Sequence, residues 1–130
     1  PELKAMHKDT KLKPKVMVFE GKEGIRTVYW DILYTKEAKD LKTFSDPVTM
    51  FKMFPDFMEH ALERVKKGIK MYAIGPSTKE LLRIFKHTSP PPLDEFLIIP
   101  KEKFGSSNNV AIYGNKIALT SPKEEFGGRY

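Results

Sequence analysis

KVMVFEGKEGIRTVYWDIL, residues 15–33, is the stretch whose reading decides the fold. Lys15 to Glu20 is a compact apolar run bounded by Pro14 and Gly21, which is the length and composition of a strand. Gly21 and Gly24 turn the chain. Ile25, Val28, Tyr29, Ile32 and Leu33 then fall at i, i+3, i+4, i+7 and i+8, one face of a helix. A strand passing through a glycine turn into an amphipathic helix is the first half of a β-α-β unit.

The same alternation continues. Asp40 to Phe44 reads as a second strand. Ser45-Asp46-Pro47 is a helix start, with a capping side chain and proline in the first turn. Met50, Phe51, Phe54, Phe57, Met58, Ala61, Leu62 and Val65 carry a helical stripe to Gly68, which is bent or split at Pro55. Ile69 to Ile74 is a third strand, ended by Gly75-Pro76. Ser77-Thr78-Lys79-Glu80 has the spacing of a capping box and opens a helix that buries Leu81, Leu82, Ile84 and Phe85. Ser89 to Pro92 breaks that helix, and Glu95 to Ile99 is a fourth strand. Val110 to Tyr113 and Lys116 to Thr120 are two strands joined by the turn Gly114-Asn115.

The order β-α-β-α-β-α-β-β-β predicts an α/β fold: a mixed, mostly parallel sheet with helices on both faces and a C-terminal β-hairpin. The first three strands are apolar on both faces, as a sheet covered on both sides requires.

Composition narrows the class. The chain has 130 residues, 40% of them hydrophobic, enough for one domain with a buried core. There is no cysteine, so disulfides, thiol catalysis and zinc-thiolate sites are excluded, in agreement with a reducing, cytoplasmic setting. No apolar run approaches the roughly 20 residues of a membrane span, and no membrane partner is expected. The net charge is +6, but the excess is lysine spread along the chain, clustered only over Lys4 to Lys15. Arginine, the residue suited to base reading and phosphate clamping, occurs only at 26, 64, 83 and 129.

Several kinds of site chemistry are missing. His7, His60 and His87 are too scattered for metal-ligand spacing, and His60 reads as a partly exposed helix residue. His7-Lys8-Asp9 lies on a charged tail, where contiguous residues do not converge. Gly21-Lys22-Glu23-Gly24 lacks the Gly-x-Gly-x-x-Gly pattern, and Glu23 would repel phosphate. No cofactor, metal or catalytic residue is assigned.

The hairpin segment SSNNVAIYGNKIALTS, residues 106–121, resembles the strand-turn-strand of the phospholipase D superfamily, whose signature is His-x-Lys-x4-Asp, a turn glycine, a strand and Gly-Ser. With Gly114 as the turn glycine, the Asp position falls on Tyr113, the Lys position on Asn108 and the His position on Ser106; Thr120-Ser121 stands for Gly-Ser. The signature histidine is a nucleophile and general acid-base group, and its lysine neutralises phosphate charge. Ser106 and Asn108 can do neither.

Together with VFEGKEGI, GIKMYAIGPSTKELL and FLIIPKEKF, the hairpin is similar to the phospholipase D-like domain of TrmB-type regulators, archaeal and bacterial transcription factors. The likeness covers about residues 1–126. It implies an effector-sensing and dimerisation domain over 15–130, without catalysis, following a linker (1–14) from an absent winged helix and truncated at its C-terminus. The expected partners are a second copy and a small-molecule effector, with DNA reached only through that winged helix. The sugar-binding extension of some members is absent, so no sugar is assumed.

Ligands of open α/β sheets bind beyond the carboxyl ends of the strands. That rule selects Glu20, Ser45, Ser77 and Thr78, and the hairpin adds Asn108 and Ser121. The bland alternative is that Ser45, Asp46 and Ser77 are ordinary helix caps. For the dimer contact, the helix bearing Met50, Phe51, Phe54, Phe57 and Met58 and an unpaired sheet edge both qualify. Two other functional readings stay open: a phospholipase D-class phosphodiesterase or nuclease, and a free-standing nucleic-acid or protein-binding module. The missing signature opposes the first and the scarcity of arginine the second.

Overall fold

The structure, a computed structural model, describes residues 14–87, 94–105 and 108–122. Strand β1 (Lys15–Glu20) passes straight into helix α1 (Gly21–Tyr34). Gly21 makes that abrupt turn at φ +71°, a left-handed conformation that glycine adopts without steric cost. Gly24 allows a close approach: a Cβ there would lie 2.7 Å from Phe19 Cβ. Strand β2 (Asp40–Phe44) follows, then α2 (Pro47–Met53) and α3 (Phe57–Lys66). Strand β3 (Lys70–Ser77) leads to α4 (Lys79–His87), and β4 (Glu95–Pro100) to the single turn α5 (Lys101–Phe104). Strands β5 (Asn109–Tyr113) and β6 (Lys116–Ser121) form the hairpin. Gly114, at φ +57°, takes the first central turn position and Asn115, which does not have positive φ, the second, the pattern of a type II′ turn.

The six strands form one sheet in the order β1-β6-β5-β2-β3-β4. Three pairings are parallel (β1 with β6, β2 with β3, β3 with β4) and two antiparallel (β5 with β2 and with β6). The hairpin thus inserts between β1 and β2 and ties the start of the chain to its end. The expected α/β class, mixed sheet and C-terminal hairpin are all present.

Helices occupy the two faces unequally. The crossovers β1→β2, β2→β3 and β3→β4 all step in the same direction across the sheet. Right-handed connections stepping one way land on one face, and α1 to α4 form a single layer there. Its core gathers Ile25, Val28, Tyr29 and Ile32 of α1, Met50 of α2 and the adjoining Phe54, over Leu41, Met71, Ala73, Ala111 and Ala118 of the sheet. Tyr29 stacks on Phe54 at a centroid separation of 5.7 Å. Among the described residues, the opposite face carries only α5, whose Phe104 stacks on Phe44 with centroids 4.4 Å apart.

Several boundaries differ from the reading of the sequence, each for a local reason. The helical stripe is split at Pro55: Phe54 donates its N–H to Met50 O and closes α2, and α3 begins at Phe57. Gly75-Pro76 does not end β3, because Gly75, Pro76 and Ser77 continue in register with Ile98, Ile99 and Pro100 of β4. Thr78, not Ser77, caps α4, its Oγ1 accepting from Leu81 N–H at 3.1 Å. Leu81 is fully buried but Leu82 is 51% exposed. Phe85 and His7 fall outside what the structure describes.

Candidate functional site

Parallel strands end together, and an antiparallel strand between them begins where they end. The carboxyl ends of β1, β6, β2 and β3 and the start of β5 therefore share one edge of the sheet. Register fixes the sequence along it. Glu20 lies beside Ser121, Thr120 beside Asn109, and Phe44 beside Val110. Continued one residue, the register places Glu20, Ser121, Asn108 and Asp46 in one row across four adjacent strands, with Ser45 beside Asn109 on the side that faces the helices. At about 4.8 Å per strand that row spans about 14 Å, the length of a small molecule. Ser77 and Thr78 lie one strand further on. Ser77 lines a separate shallow cleft of about 370 Å³ with Ile98, Ile99, Pro100, Lys101 and Glu102.

The roles along this edge differ. Ser45 is 6% exposed, and its N–H donates to Ile74 O at 3.0 Å. It helps join β2 to β3 and is no cap. Asp46 is the cap of α2: its carboxylate accepts from Val48 N–H at 3.0 Å and from Thr49 Oγ1 at 3.3 Å. Glu20 precedes α1 without a capping side-chain bond. Ser106 lies outside the described residues.

The structure adds residues that sequence reasoning passed over. Asn109 and Thr120 face each other across the hairpin and are 2% and 1% exposed. Among the described residues, neither the Asn109 carboxamide atoms nor the Thr120 hydroxyl meets a hydrogen-bond partner. An unpaired buried polar group costs about 1–3 kcal/mol, so this pair is an expensive feature of the edge. Asn109 is close enough to Tyr29 to favour its ionised form, outside hydrogen-bond geometry. Burial outweighs that effect and the Arg64 charge and raises the Tyr29 phenol well above its ordinary value. Sequence reasoning selected Asn108, whose side chain belongs to the other face of β5. The alternation of side chains along a strand was the available signal.

His60 is also corrected. It is 1% exposed, with Nε2 2.6 Å from Tyr29 O. A carbonyl only accepts, so Nε2 carries the proton and the ring is a neutral donor. Burial, helped by the Arg64 charge and opposed by the bond to Tyr29, pushes its pKa down to about 4. Arg64 is itself buried, donating to Ile69 O at 2.9 Å and in bidentate fashion to Asp94 at 2.6 and 2.7 Å.

Tyr113, at the signature Asp position, lies at the far end of the hairpin. Its hydroxyl donates to Asp31 at 2.9 Å, and Lys116 Nζ donates to the same carboxylate at 2.8 Å and to Thr35 Oγ1 at 3.1 Å. Burial disfavours the Asp31 carboxylate, but the bonds from Lys116 and Tyr113 and the charges of Lys116 and Lys15 outweigh it and hold the pKa below the usual range. Burial and the Asp31 contact raise the Tyr113 phenol. This cluster joins α1 to the hairpin and has the makeup of a structural latch.

Among the described residues, no group of three or more His, Cys, Asp or Glu side chains is placed to hold a metal ion, and no helix is long and apolar enough to cross a membrane. No family model, curated protein or solved structure matches the chain.

Proposed function

We propose that this chain is the effector-sensing and dimerisation domain of a TrmB-like transcriptional regulator, a phospholipase D-like scaffold without catalysis. The observation that carries the reading is the state of the hairpin. Its strands and turn glycine are in place at the sheet's centre. The signature's Lys and Asp positions hold Asn108 and Tyr113, neither able to neutralise phosphate or to serve as an acid-base group near neutral pH. Tyr113 is engaged with Asp31.

The edge formed by Glu20, Ser121 and Asn108, with Asn109 and Thr120 behind it, is where a small polar effector would act. A ligand that gives Asn109 and Thr120 partners removes an unpaired-group cost and so stabilises the fold. The test is a thermal-shift screen of small polar metabolites, run beside a chromogenic phosphodiester assay. The reading expects at least one concentration-dependent rise in Tm that Asn109→Leu abolishes, and no turnover above buffer. Turnover lost on substitution of hairpin residues would replace it with the phosphodiesterase reading.

A further inference from the structure

The open face of the sheet presents two complete rungs across all six strands. One rung is Val18, Leu119, Val110, Phe44, Ile74 and Leu97. Its neighbour is Val16, Ile117, Ile112, Lys42, Tyr72 and Glu95. Ten of these twelve positions are apolar or aromatic, and only Lys42 and Glu95 are charged. Val18 is 76% exposed, Val16 59%, Leu97 58% and Ile112 42%. A trough of about 520 Å³ runs along the middle of the face, between Phe44, Ile74, Leu97 and Ile112. Monomeric soluble proteins rarely leave so continuous an apolar surface in water.

We propose that a second copy of this chain packs on this face, sheet against sheet. The inference rests on the regulator reading above and names the surface through which that domain dimerises. Size supports a second copy over a single helix. Six strands at about 4.8 Å each, of mostly five to six residues, make a face of roughly 29 by 17 Å, about 500 Å² in projection. The single turn α5, about 10 Å across and about 6 Å long, covers part of it over Phe44. The roughly 440 Å² left on each copy makes about 900 Å² before side-chain relief is counted, close to what a specific interface needs. One helix, about 10 Å across, covers a third of the width. Shape agrees: the rungs are mostly Val, Ile and Leu, the side chains that interdigitate between aligned sheets about 10 Å apart. Charge agrees as well. Glu95 is paired with Lys70, whose ammonium lies over the Tyr72 ring, and Lys42 is balanced by Asp40 two residues before it on the same side of β2, so an identical face meets no net charge.

Other surfaces fit less well. Of Met50, Phe51, Phe54, Phe57 and Met58, offered by the sequence as a dimer face, Met50 and Phe54 are 2% and 1% exposed and Phe57 packs against the core, which leaves Met58, 48% exposed, as a small patch with Leu62. The hairpin is internal to the sheet; the outer strands are β1 and β4, and pairing along one strand buries less than the face does.

Sedimentation velocity at micromolar concentration tests the proposal, with circular dichroism melts to verify folding. The chain is expected to be a dimer. Ile112→Lys should raise its dissociation constant at least tenfold, and so should Val18→Lys, which is 76% exposed on an edge strand and leaves the core of the protomer untouched. Leu62→Lys, on the exposed side of the helical layer, should change it less than twofold. A wild-type monomer would overturn both the interface and the dimerisation reading beneath it. A dimer broken by Leu62→Lys but not by Ile112→Lys or Val18→Lys would overturn the interface alone, and so would a dimer that withstands all three.

Discussion

Arg64 and Asp94 come together from 30 positions apart, at the end of α3 and the start of β4, and their side chains are 1% and 0% exposed. A buried pair adds little stability over apolar packing, but removing one partner strands the other's charge. Asp94→Ala should therefore cost about 3–5 kcal/mol in urea unfolding, and Arg64→Met with Asp94→Leu should recover much of that loss. A double variant no more stable than Asp94→Ala would show that the pair is not the source of the loss. His60 governs acid stability. Its folded pKa of about 4 lies below the ordinary 6.5, so between those values the unfolded chain binds more protons. Stability is then fully present above pH 6.5 and is lost as pH falls toward 4, by on the order of 3 kcal/mol. Asp31 acts in the same direction, its stabilisation present above the ordinary carboxylate range and lost as pH falls through its depressed folded pKa. His60→Gln keeps a neutral donor that does not titrate. Chemical denaturation from pH 7 to 4 should show a shallower loss in that variant; an unchanged slope would remove His60 from the account.

At the level of elements, the junction of β1 with α1 sets two effects against each other. Alanine is favoured over glycine inside a helix by about 1 kcal/mol. At Gly24, however, the added Cβ would sit 2.7 Å from Phe19 Cβ and 3.3 Å from the Phe19 carbonyl carbon. These atoms belong to the strand and the base of its side chain, with no free end to swing away. Overpacking of this kind costs about 1–3 kcal/mol and should win. Gly24→Ala is expected to lower the Tm by several degrees, measured by circular dichroism; a rise would mean that α1 can shift away from β1 without loss. The latch of Tyr113 and Lys116 on Asp31 works at the other end of α1, so the helix is held to the sheet near both ends.

For the whole molecule, a net charge of +6 without an arginine-rich patch predicts weak, unspecific attraction to DNA. Titration of a labelled duplex should show affinity falling steeply between 50 and 200 mM salt and equal for unrelated sequences. Sequence preference that persists at physiological salt would place DNA recognition within this domain and displace the regulator reading, which assigns it to a winged helix elsewhere.

The sequence by itself determined the order of strands and helices except for the single turn α5, and to within a few residues their bounds. Each signal was local: an apolar run before Gly21, the 3.6-residue stripe from Ile25 to Leu33, Gly114-Asn115 between two short strands. It also located the carboxyl edge, because parallel strands must end together. What it did not determine lies across the sheet. Apolar residues on both sides of a strand call for cover on both sides, yet Val16 and Val18 are 59% and 76% exposed, and the sequence carries no mark of which face the helices take. The direction of the crossovers decided that, by sending α1 to α4 to one face. Packing likewise chose Asn109 over Asn108, since strand phase depends on register with β6. It turned His60 from a surface residue into a buried neutral donor, because which side of α3 faces Tyr29 is settled only when the helices meet. Local pattern fixes which elements form; contacts between residues far apart in the chain fix which faces they bury and which polar groups are left without partners.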